Sequence, residues 1–102
     1  MGLRLPAGWE FVSEAQAASL TNELKREVGE KHVLWQSMYH AIARSTQSDD
    51  VLFALDDSQS PFVLVHLTWQ VGSRSEWPKA IFVKNGEHLH SIWQTALRGE
   101  NE

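Results

Sequence analysis

The chain has 102 residues, with 9 Lys+Arg against 13 Asp+Glu, a formal net charge of −4 and 42% hydrophobic residues. A chain of this length holds one domain rather than two independent cores, and its composition argues against disorder. It has 0 Cys, which excludes disulfide scaffolds, thiolate metal sites and a cysteine nucleophile.

Tryptophan is the outlier in composition: there are 5, at Trp9, Trp35, Trp69, Trp77 and Trp93. The opening Met1-Gly2-Leu3-Arg4-Leu5-Pro6 carries one basic residue and no apolar run of signal-peptide length. Pro6 stands where a myristoylation pattern needs Ser or Thr. The apolar run from Phe62 to Leu67 is broken by His66 and is too short to span a bilayer. The expectation is a cytoplasmic protein with no membrane partner. A pI near 5.7 disfavours direct nucleic-acid binding, which relies on a basic surface, and suits a basic protein partner.

Ser13-Glu14-Ala15-Gln16 reads as a capping box. Ala17, Leu20, Leu24 and Val28 follow at three- and four-residue spacing, with Glu14 in the first turn, Lys25 and Arg26 in the last, and Gly29 as a stop. These features predict a helix from Glu14 to Val28. Residues 30–36 carry no clear period. Ala41 to Arg44 and Val51 to Leu55 read as two short strands around the polar loop Ser45 to Asp50. Asp56 to Pro61 supplies the next turn. Phe62 to Val71 is the clearest strand, with Val63, Val65, Leu67, Trp69 and Val71 on one apolar face.

After the polar stretch from Gly72 to Pro78, Ala80 to Val83 is a short fourth strand or the approach to a last helix. Asn85 caps that helix, Leu89, Ile92, Trp93, Ala96 and Leu97 form its apolar stripe, and Gly99 ends it. The expected fold is a single α+β domain over residues 1–102. It has two layers, an antiparallel sheet of three to four strands with an N-terminal and a C-terminal helix on one sheet face, in the order αβββ(β)α. Trp69 and Trp93 fall in the core, Trp9, Trp35 and Trp77 lie outside firm elements, and an interface role is assigned to one of those three.

His88 and His90 are two residues apart, whereas helical metal ligands share a face at three or four, so no metal or other cofactor is expected. His66 and Thr68 on one strand face, with His40 and Arg44 from a neighbour, form a candidate acid–base or ligand-binding cluster, provided strand pairing unites them. The pairs Asp49-Asp50 and Asp56-Asp57 flank the second predicted strand. They lie too far apart to share one catalytic site and suit turns, or an acidic rim for a cationic partner.

The segments Ala41-Ile42-Ala43-Arg44, Asp49-Asp50-Val51-Leu52-Phe53, Val65-His66-Leu67-Thr68-Trp69 and Trp77-Pro78 resemble a family of small bacterial proteins that carry DDVLF, VHLTW and WP in this order. The resemblance covers residues 20–95 and includes a segment beginning with His, here His32-Val33-Leu34. Where the family has Pro after that His, this chain has Val33, which alters the approach to the first strand. In size and acidity the chain is also similar to immunity proteins of contact-dependent growth inhibition systems.

What the resemblance implies is a non-enzymatic cytoplasmic protein that neutralises a basic, nuclease-type toxin domain by covering its active site. The expected partner contacts are Asp49, Asp50, Asp56, Asp57, Glu76 and Trp77, acidic loops steering the encounter and aromatic anchors slowing dissociation. The alternatives are a small enzyme or ligand binder using His66, Thr68, His40 and Arg44, or an oligomerisation module pairing through an exposed sheet face.

Overall fold

A computed structural model of the chain describes residues 5, 7–30, 32, 34–35, 37–56, 61–68, 79–85 and 87–92. The elements run β1 (Trp9–Phe11), α1 (Glu14–Glu27), β2 (Tyr39–Ser45), β3 (Asp50–Leu55), β4 (Phe62–His66) and β5 (Lys79–Val83). Residues 87–92 form a further helical segment, α2. The strands make one five-stranded sheet in chain order, antiparallel at every pairing.

The capping box forms as its sequence requires. The Ser13 Oγ accepts from Gln16 N at 3.2 Å, and Gln16 Oε1 accepts from Ser13 N at 3.1 Å. The helix then ends one residue early. Val28 leaves in extended conformation (φ −80°, ψ 122°), its N–H still bonded to the Leu24 carbonyl. Gly29 is therefore not a left-handed stop; the β-branched residue before it terminates the helix. The left-handed glycine is Gly8, at φ 88°, whose carbonyl accepts from Thr46 N at 2.7 Å and Thr46 Oγ1 at 2.9 Å.

A β-bulge interrupts β2. Ala41 pairs with Phe53 and Ala43 with Leu52, so Ile42 is the extra residue. The Ala41 N–H donates instead to Thr21 Oγ1 on α1 at 3.0 Å, which keeps a buried donor satisfied. The bulge turns Ala41 toward α1 and Ala43 toward the opposite face.

That opposite face corrects the expected two-layer arrangement. Ala17, Leu20, Leu24 and Val28 of the α1 segment pack on Ala41, Val51, Phe53, Val63 and Val65. Leu89 of α2 packs with Trp9, Ala43, Leu52, Leu64 and Val83 in a second cluster. Adjacent side chains Val51, Leu52 and Phe53 are all buried, and in a strand adjacent side chains point to opposite faces. Both faces are therefore apolar and each takes a helix, giving three layers. Tyr39 meets Phe53 edge-on, ring centroids 5.7 Å apart, within the α1-side core.

The strand count also exceeds the expectation. β1 has 3 residues, too few to show alternation, and exists because Trp9, Glu10 and Phe11 pair with Ser45, Arg44 and Ala43. Residues 79–83 resolve as the strand β5 rather than an approach to the helix. The long predicted strand ends at His66, although Leu67 remains buried and donates to the Asp49 carbonyl at 3.0 Å. Trp69, Val71, Trp93, Ala96, Leu97 and Gly99, assigned above to that strand and to the last helix, lie outside the described residues.

Candidate functional site

The expected contact residues separate to opposite ends of β3. Asp49 and Asp50 sit where β3 begins and Asp56 just past its end. A six-residue strand places these ends about 20 Å apart. Asp49 and Asp56 are exposed. Asp57, Glu76 and Trp77 lie outside the described residues.

Asp50 is engaged locally. It stands opposite His66 in the β3–β4 register, with its Oδ1 3.0 Å from His66 Nδ1, while Ser48 Oγ donates to its Oδ2 at 2.6 Å. A carboxylate only accepts, so in this contact the His66 Nδ1 is the donor.

The remaining members of the proposed cluster do not join it: His66, Thr68, His40 and Arg44 do not meet at one point. His40 stands opposite Ala54, four residues along β3 from Asp50 and hence about 13 Å away. Arg44 pairs with Val51 and turns to the α1 face, where it lines a cleft together with Gln16, Ser19 and Leu20. Thr68 lies past the end of β4, and its N–H and Oγ1 both donate to Glu27 Oε1 at 2.8 Å. Facing residues in a sheet are fixed by register, and here the register separates these four.

Glu27 was not singled out from the sequence. It is fully buried at the end of α1, one turn from Glu23, which is 7% exposed. Burial pushes the Glu23 carboxyl above its ordinary range, and a hydrogen bond with Glu27 pushes it the same way, against the lowering effect of Arg26. Arg26 reaches Glu23 Oε1 at 3.1 Å. The signal was present in the spacing: Glu27 falls three residues after Leu24 and seven after Leu20, inside the apolar stripe. The carboxylate ties α1 to the end of β4 through two donors.

The histidines also take local roles. His32 is buried, and its Nδ1 accepts from Leu34 N at 3.0 Å. The His88 Nδ1 accepts from Lys84 N at 3.1 Å, and Asn85 Oδ1 caps α2 by accepting from His88 N at 2.8 Å. Among the described residues no group of three or more His, Asp or Glu side chains converges to hold a metal ion. No helix of the described residues is long and apolar enough to cross a membrane.

The other end of the sheet, where β2 and β4 begin and β3 finishes, carries the exposed side chain of Met38, 75% exposed. Phe11, on β1 and paired with Ala43, is 60% exposed, and Trp35, in the segment before β2, 43%. Asp56 N approaches the Met38 carbonyl at 3.4 Å, so the acidic and apolar residues adjoin there. A groove of about 480 Å³ joins Phe11 to this end, with Ala17, Ile42 and Phe62 in its walls and Glu14 and His40 at its polar margin. Trp9, by contrast, is buried against Ala43 and Leu52 and is a packing residue. Compared with protein-family models, curated proteins and solved structures, the chain matches none.

Proposed function

We propose that this chain is a binding protein and that its partner is a basic protein, a nuclease-type toxin domain being the class that the resemblance to immunity proteins names. The observation that carries this reading is the exposure of Met38 beside Asp56, together with the exposed aromatic side chains of Phe11 and Trp35. Aromatic residues and Met are enriched in the cores of protein interfaces, where burial on the partner returns the cost of their exposure. A net charge of −4 speeds encounter with a cationic surface, and the apolar anchors then slow dissociation.

Asp56 borders the contact, Asp49 adds to the long-range field from the far end, and Asp50 is partly occupied by Ser48 and His66. Asp57, Glu76 and Trp77 belong to the proposed contacts on sequence grounds. The test is co-expression with the toxin domain encoded beside its gene. Restored growth with a 1:1 complex supports the reading; undiminished killing with no co-purification ends it.

A further inference from the structure

The groove beside α1 is specific in its chemistry. Ala17 in its wall is 2% exposed, whereas Phe11, Glu14 and His40 are exposed at its margin. The Ser13 hydroxyl is occupied in the capping box. Neither Glu14 nor His40 is engaged in a side-chain hydrogen bond or ion pair with any described residue. The groove exists because β1 covers only the Ala43–Ser45 half of β2, and because the bulge at Ile42 displaces the chain where the cover stops.

Two kinds of occupant suit an open strand margin: an added strand or an inserted side chain. The backbone argues against the strand. The Ile42 carbonyl already accepts from Val12 N at 3.1 Å, and the Ala41 N–H is taken by Thr21 Oγ1, so the groups that a docking strand needs are used. A side chain needs only apolar walls, and a volume of about 480 Å³ admits an aromatic ring. Glu14, in the first turn of α1, places a carboxylate at the mouth.

We infer that this groove receives an aromatic or branched apolar side chain of the basic partner, with a neighbouring Lys or Arg set against the Glu14 carboxylate. The inference rests on the reading of the chain as a binding protein, and a partner-free probe tests its chemistry separately. The full chain, ¹⁵N-labelled, is titrated with 2-phenylethylammonium and, in parallel, with 3-phenylpropanoate, which presents the same ring with the opposite charge. The ammonium probe binds saturably with millimolar affinity, as suits so small a ligand, and shifts the amides of Ala17, His40 and Ile42. The carboxylate probe binds about fivefold more weakly, and Glu14→Gln removes most of that difference.

In the complex, Glu14→Lys weakens the toxin domain by about tenfold, while Glu30→Lys, the same charge change on an exposed turn, costs about threefold or less. Absence of saturable shifts at those amides, equal binding of the two probes, or equal effects of the Glu14 and Glu30 variants overturns the inference. Probe selectivity without rescue of growth counts against the toxin partner and supports the groove's chemistry. Rescue without selectivity counts against the groove alone.

Discussion

Where β3 begins and β4 finishes, polar side chains are matched to one another: Asp50 to His66 and Ser48, Glu27 to Thr68, Thr46 to the Gly8 carbonyl. Where β3 finishes and β4 begins, Met38 is left in water, and a groove runs from there to the exposed Phe11, with Glu14 and His40 beside it engaged by no described residue. The first end is held together by its own polar contacts, and substitutions there are read in stability. The second leaves apolar and charged groups exposed, and on the proposed reading substitutions there are read in binding.

The contrast is most directly broken at Glu27. Glu27→Ala strips Thr68 of its acceptor and opens space between α1 and β4, and it is expected to lower unfolding free energy by about 3 kcal/mol in urea titration. A loss below about 0.5 kcal/mol would show that the carboxylate is not part of what holds that end closed. Gly8→Ala comes next, at about 1–2 kcal/mol, because an L residue is strained at φ 88°. The nearest atoms a Cβ there meets are those of the Gln47 side chain, at 3.5 Å or more, so backbone strain rather than a clash accounts for the loss, which thermal unfolding reads.

A pH effect sharpens the comparison further. The Glu23 carboxyl titrates above its ordinary 4.5 in the folded chain, so the folded state holds its proton more tightly than the unfolded state. Its contribution to stability is complete below 4.5 and falls as pH rises through the folded value. Urea titrations at successive pH values should show this decline, flattened in Glu23→Gln. An unchanged slope in the variant would assign the decline to another group.

The smallest expected stability change belongs to the open end. Met38→Ser alters unfolding free energy by about 0.5 kcal/mol or less, since that side chain is 75% exposed. The same change weakens the partner complex by about tenfold. A large loss of stability with intact binding would reverse the assignment of the two ends.

Much of the fold could be read from neighbouring residues. The capping box at Ser13 and Gln16, the stripe through Ala17, Leu20 and Leu24, the β2–β3 hairpin and the Asn85 cap all form from contacts within about four positions or across one short loop. Less of the candidate site was legible. The resemblance pointed to acidic loops, of which Asp49 and Asp56 are exposed, but the groove and Met38 carried no sequence pattern. The groove is made by a gap between two elements, and an exposed Met in a connecting segment has no periodicity to mark it.

By itself, the sequence determined the α+β class, the antiparallel pairing through short loops and where α1 starts, because these depend on local hydrogen bonds, turn chemistry and side-chain period. Only the tertiary structure decided that both sheet faces are covered, that Trp9 belongs to a three-residue strand and that Glu27 is buried. It also decided that His66 meets Asp50 while His40 and Arg44 stay apart. Register and the bulge at Ile42 set those outcomes: a one-residue shift moves a side chain to the other face, and the pairing that fixes it joins residues distant in the chain.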